Sequence, residues 1–156
     1  MTLHEPPHAA IDFDVLWPLA EALDALPEPR RADDVDAVAE RAGVPRAHAW
    51  VALGMQPMVQ VQREHPIAIG VCCGRCQLWG AAERIEALLQ LRRARISAGQ
   101  LAFDLVPRGC LSRCERAPVA TAVLADGLVQ LDGFDVEQVR ALLDRVAADG
   151  VGGDGG

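Results

Sequence analysis

A chain of 156 residues, 51% hydrophobic and 24% charged, can bury the core of one ordinary domain or of a small domain with a helical appendage, and global disorder is not indicated. The net charge of −7 provides no basic face for neutralising phosphates, so a nucleic-acid partner is not expected. No stretch approaches the roughly 20 apolar residues that span a bilayer, and "MTLHEPPHAAIDFD" lacks the apolar run of a secretory signal.

These features point to a cytoplasmic protein without direct membrane insertion. In that compartment thiols stay reduced, and clustered cysteines indicate metal binding or redox chemistry more often than structural disulfides. All 15 basic residues are arginine, which reads as compositional bias of the genome.

Residues 1–14 read as a flexible leader. Leu16, Leu19, Leu23 and Leu26 then recur at helical spacing, with Pro18 tolerable in a first turn. "PEPRRADD" reads as a loop, and Asp33 or Asp34 is the expected cap of a second helix whose Val35, Val38 and Ala39 share a face. Gly43 and Pro45 mark a stop and a restart. Residues 15–62 are thus expected to form a segment of short helices, none stable unless packed.

At Pro66 the period changes. "IAIGV" fits a buried strand and runs straight into "CCGRC". Ile85, Leu88, Leu89 and Ile96 mark a helix. "LAFDLV", with Leu101, Phe103 and Leu105 on one side, reads as a second strand leading to Cys110 and Cys114. "VATAVLADGLVQL" reads as a hairpin turning at Asp126-Gly127. Asp135 and Gln138 form a capping-box pattern before a helix whose apolar face is Val136, Val139, Leu142, Leu143 and Val146. Residues 148–156 read as a disordered tail. The order strand, helix, strand, hairpin, helix predicts an α/β fold with a parallel pair and an antiparallel edge, spanning residues 63–147.

The chemistry lies in the cysteines. Cys72, Cys73 and Cys76 follow one strand, and Cys110 and Cys114 follow the next. Parallel pairing of those strands would bring both groups to one end of the sheet. Four thiolates there suit zinc or an iron–sulfur cluster. Cys73-Gly-Arg-Cys76 alone also fits a dithiol–disulfide oxidoreductase, with Pro118 facing the pair. Arg75, Arg108, Arg113 and Arg116 all fall within two residues of a cysteine. They would either stabilise a negative reduced centre or simply form a solvated surface. Trp79 reads as packing at a helix start. His4, His8, His48 and His65 are scattered and read as surface or loop residues. "GVGGDG" follows a helix rather than a strand, so it lacks the context of a phosphate loop.

"VCCGRCQLWGA" followed by "CLSRCERAPVA" resembles the thioredoxin-like [2Fe-2S] ferredoxins, especially the small iron–sulfur subunit of NADH:quinone oxidoreductases and related hydrogenase and formate dehydrogenase subunits. "VDAVAERAGVPRAHAWVALGMQPM" is similar to the helical segment that precedes the ferredoxin domain in that family. Cys76, Gly80, Cys110, Cys114, Ala117, Pro118 and Val119 match its motifs. The first pair is one residue short of the family's C-x4-C, since Cys72 to Cys76 is C-x3-C, and "GMQPMV" lacks the family's Phe-Tyr pair.

The resemblance implies an N-terminal helical segment on a thioredoxin-like domain with a mixed sheet. It implies one [2Fe-2S] cluster on Cys76, Cys110, Cys114 and either Cys72 or Cys73. Cys72 is preferred for its longer loop and closer spacing. The implied role is electron transfer within a multi-subunit NAD(H)-linked oxidoreductase, peripheral to the inner membrane if its complex is. The implied partner is a flavin- and NADH-binding subunit, and the chain alone would catalyse nothing. A dithiol enzyme using Cys73 and Cys76, or a zinc-binding interaction module, are the alternatives.

Overall fold

The structure, a computed structural model, describes residues 5–56 and 60–152. Three helices come first: α1 (Phe13–Asp24), α2 (Ala32–Ala42) and α3 (Arg46–Gly54). There follow β1 (Ala68–Cys72), a 3-10 turn (Arg75–Trp79), α4 (Ala81–Ser97), β2 (Asp104–Arg108), a second 3-10 turn (Cys114–Arg116), β3 (Val119–Leu124), β4 (Gly127–Asp132) and α5 (Val136–Gly152).

The four strands form one mixed sheet in the order β2-β1-β3-β4. β1 runs parallel to β2 and antiparallel to β3, and β3 pairs antiparallel with β4. The chain is therefore a mixed α/β protein, with α4 as the crossover that parallel pairing requires. Among the described residues, no helix is long and apolar enough to cross a membrane.

α1 begins earlier than the leucine spacing implies. The Asp12 carboxylate accepts the Asp14 N–H at 2.9 Å and caps it, so Pro18 lies in the second turn rather than the first. Leu16, Leu19 and Leu23 are buried as expected. α2 is preceded by Arg31, not capped by Asp33 or Asp34, and both carboxylates sit in the first turn, where the helix dipole favours them. Gly43 ends α2 with φ 69°, a left-handed conformation natural to glycine.

The helical segment has no core of its own. Trp50, Val51 and Leu53 of α3 are fully buried in the same cluster as Ile69 and Val71 of β1, Ile85 and Leu88 of α4, and Leu143 of α5. The Trp50 indole N–H donates to Asp36 at 2.8 Å, satisfying both groups in the interior. Nor is the leader loose throughout. The Ile11 N–H donates to the buried Gln77 side chain at 2.8 Å, and the His8 N–H to the Leu78 carbonyl at 3.2 Å.

Other boundaries shift for local reasons. β2 starts at Asp104, where the ladder to Ile67 begins, and continues through Pro107. An edge strand tolerates a proline because one side of its backbone is unpaired. Ile96 is exposed, off the buried stripe of α4. The hairpin turns at Ala125 and Asp126, one residue early, because Gly127 already pairs with Leu124. The capping box forms as read: Asp135 N–H donates to Gln138 and Gln138 N–H donates to Asp135. Once started, α5 continues to Gly152, so residues 148–152 are helical; the rest of the expected tail lies outside the described residues.

Candidate metal centre

The site follows from strand alternation. Successive side chains of a strand point to opposite faces. Ile69, Val71 and Cys73 enter the main core, while Cys72 packs with Cys76, Ala81 and Val119 in a separate small cluster that Leu111 and Ala117 adjoin. Cys73 N–H donates to the Arg108 carbonyl at 2.6 Å, extending the β1–β2 ladder one residue beyond the strand. Its thiol is wholly buried, with the Val71 carbonyl at 3.5 Å. That burial pushes the Cys73 thiol up to about 12.

Cys72 is different. The neighbouring Cys76 thiol donates to its sulfur, and the backbone N–H groups of Gly74, Cys76 and Leu111 also favour its thiolate, so its pKa falls to about 5 against the opposing effect of burial. Cys76, whose proton is shared with Cys72, is raised, although the Val119 N–H supports its sulfur. Cys110 and Cys114 are exposed. The Ser112 N–H donates to Cys110 Sγ at 3.2 Å from a left-handed turn with φ 58°. Cys114 is raised by desolvation first, then by Cys110 and Cys72, with Arg75 opposing.

The structure thus brings Cys72, Cys76, Cys110 and Cys114 to one end of the sheet and takes Cys73 away from them. They gather as two neighbouring pairs: Cys72 lies with Cys76 in the small buried cluster, and Cys110 is close enough to Cys114 to push that thiol up. Among the described residues, no three sulfurs lie within 4.8 Å of one another.

Glycines that the motif comparison did not single out hold the two loops together. A Cβ on Gly74 would run into the Gly109 carbonyl oxygen, and one on Gly109 would lie 3.2 Å from the Gly54 carbonyl. A Cβ on Gly54, at the end of α3, would come within 3.0 Å of both Cys73 Cβ and Cys73 Sγ. Three backbones therefore meet where a side chain at Gly74 has no room and one at Gly54 or Gly109 would crowd its neighbours. Gln77, also missed, fixes the first loop by donating to the Cys73 carbonyl at 2.8 Å while accepting the Ile11 N–H. The available signal was a glutamine between a cysteine and the apolar Leu78 and Trp79, since an amide buried in such a run needs partners.

The arginines divide. Arg113 forks onto the Asp132 carboxylate at 2.6 and 2.7 Å, whereas Arg75, Arg108 and Arg116 are exposed. Trp79 is half-buried, and its carbonyl accepts Arg84, which also donates to the Phe134 carbonyl. Of the histidines, His8 lies against Glu83 at 3.2 Å, His48 is half-buried beside Glu86, and His4 is outside the described residues.

Glu64, His65 and Asp104 also bring three potential ligand atoms within 4.8 Å. There one Asp104 oxygen already accepts Arg63 and the N–H groups of Glu64 and His65, and Arg92 pairs with Glu64. That group is an ion-pair knot anchoring the start of β2. Compared with protein-family models and with curated proteins, the chain matches none.

Proposed function

We propose that the protein is a one-electron carrier with a [2Fe-2S] cluster held by Cys72, Cys76, Cys110 and Cys114 in a thioredoxin-like domain. The observation that carries this reading is the sorting of the thiols. Four meet as two pairs at adjoining strand ends, and the fifth, Cys73, is turned into the core. A [2Fe-2S] centre takes two thiolates on each of two irons, which suits two pairs.

A single tetrahedral zinc with Zn–S bonds near 2.3 Å would need all four sulfurs about 3.8 Å apart. The pairs are more separated than that, since no three sulfurs fall within 4.8 Å among the described residues. A dithiol enzyme of the C-x-x-C kind would need Cys73 beside Cys76, and Cys73 packs in the main core, away from the cluster that holds Cys76.

When bound, the cluster supplies a reversible one-electron couple. The protein's part is to hold four thiolates, direct N–H groups at their sulfurs and exclude water. The N–H groups of Gly74, Cys76 and Leu111 at Cys72 and of Val119 at Cys76 favour negative sulfur, and the Ser112 N–H donates to Cys110 Sγ. Cys72 and Cys76 are almost wholly shielded, at 2% and 0% exposure. With no flavin or nicotinamide motif in the sequence, the electron comes from or goes to a partner. The resemblance to the small iron–sulfur component of NADH:quinone oxidoreductases names a flavin- and NADH-binding subunit as that partner.

Anaerobic purification with metal and sulfide analysis tests the reading. Iron and acid-labile sulfide in equal amounts, visible absorption and an EPR signal after dithionite reduction are expected. Colourless iron-free protein, or stoichiometric zinc, would refute it.

A further inference from the structure

The two cysteine pairs differ in access. Cys72 and Cys76 are buried, whereas Cys110 and Cys114 are exposed. A cluster held by these four thiols would therefore be reached from solvent past the second pair. Charge is uneven at the same edge. Residues 71–80 and 108–118 carry four arginines against one carboxylate, Glu115, in a chain of net charge −7. Asp132 occupies Arg113. Arg75, Arg108 and Arg116 are exposed and make no ion pair among the described residues. Elsewhere Arg30, Arg46, Arg92 and Arg95 are paired with carboxylates, and the exposed arginines without an ion pair among the described residues, Arg31, Arg41 and Arg145, each stand within two residues of an acidic side chain or on a separate helix, whereas here three flank two exposed cysteines.

We propose that the exposed Cys110–Cys114 edge, framed by Arg75, Arg108 and Arg116, is where the redox partner docks, and that the docking face of that partner is acidic. The inference rests on the iron–sulfur reading for its redox role, but the charged edge itself does not. Unpaired cations around an exposed reactive edge steer anions to it, accelerating encounter by 10-fold or more at low salt. Exchange at this edge moves one electron and makes no bond.

The test compares the wild type with Arg75→Gln/Arg108→Gln/Arg116→Gln in two arms. In the cluster-loaded protein, dithionite-reduced and freed of excess reductant, stopped flow follows oxidation by anionic hexacyanoferrate(III) and by cationic hexaamminecobalt(III), each taking one electron. The anion-to-cation rate ratio is expected to fall about tenfold in the variant at low salt. The difference should vanish near 1 M salt, where screening extends about 3 Å. Taking the ratio cancels any change in potential, which shifts the driving force for both oxidants alike.

In the metal-free protein, mass spectrometry follows alkylation of Cys110 and Cys114, whose thiolates displace iodide from anionic iodoacetate or neutral iodoacetamide. The iodoacetate-to-iodoacetamide ratio is expected to fall several-fold in the variant. An unchanged ratio in either arm overturns the proposal. A protein that never binds iron refutes the iron–sulfur function, and the alkylation arm then still decides whether the edge attracts anions.

Discussion

On the iron–sulfur reading proposed above, replacing Cys73 with alanine should cost stability and spare cluster binding, whereas replacing Cys72 should abolish it. Cys73 is fully buried, with only the Val71 carbonyl within bonding reach of its thiol at 3.5 Å. Removing its sulfur resembles deleting one buried methyl-sized group, which costs about 0.5–1.5 kcal/mol. For a domain of this length that lowers Tm by roughly 1–6 °C. Serine would cost more, about 1–3 kcal/mol, because its hydroxyl would be buried in apolar surroundings with one poor acceptor.

Thermal unfolding should be followed on metal-free protein, so that cluster binding does not add to the stability of one variant and not another. Iron, sulfide and the EPR amplitude are then measured on anaerobically loaded protein. Cys73→Ala should match the wild type in iron per chain, and Cys72→Ala should hold little or none. Iron lost from a folded Cys73→Ala protein, or retained in full by Cys72→Ala, would refute the assignment of the two thiols to opposite sides of the sheet.

Gly74→Ala should lower both stability and iron content, by at least about 2 kcal/mol in the former, because the new Cβ meets the Gly109 carbonyl; Gly43→Ala, at φ 69° with nothing within 4 Å, should cost about 1 kcal/mol and leave iron content unchanged. Gln77→Leu leaves the Ile11 N–H and the Cys73 carbonyl without their partner and should cost about 1–3 kcal/mol in denaturant unfolding, with faster alkylation of Cys76 in the metal-free protein. Asp36 has its pKa raised by burial, against the Trp50 hydrogen bond. The folded state thus holds this proton more tightly than the unfolded state, so its contribution is fully present below the unfolded value of 3.8 and is lost as pH rises through the folded one. Stability curves of Asp36→Asn and wild type should accordingly diverge in favour of Asn as pH rises above 3.8, and a difference independent of pH would refute this. Asp135→Ala, removing the capping box, should cost about 1 kcal/mol in the same assay.

The elements carried by strong periodicity were legible in the chain. The leucines of α1, the apolar face of α5, the Gly43 stop and the Asp135–Gln138 box lie where spacing puts them, because each depends on residues within a turn of one another. What spacing could not supply was long-range. The early start of α1 depends on a single carboxylate cap, and the shift of β2 to include Pro107 depends on its being an edge strand. Burial of the helical segment in the sheet's own core depends on Gly54 allowing α3 to approach Cys73. The ion-pair knot at Asp104 joins residues some forty positions apart in sequence, and no local pattern announces it.

The adjacent cysteines were more legible than their motif suggested. The run Ile67, Ile69, Val71 alternates with Ala68 and Gly70, and carried forward it puts Cys73 with the large apolar residues and Cys72 with the small ones. Neighbouring thiols on one extended segment face opposite ways, so they cannot serve one site together. That geometry separates the two cysteines of the apparent C-x-x-C and gives Cys73 a packing place of its own. Its side chain fills the seam where α3 crosses the sheet beneath Gly54, and its backbone N–H extends the ladder to Arg108. The ladder in turn sets the start of the first loop against the start of the second, and Gly74 against Gly109 fixes their separation. Cys73 therefore bears on the candidate site through the backbone that places Cys72 beside Cys76, and a substitution that fills its space without a sulfur should leave that placement intact.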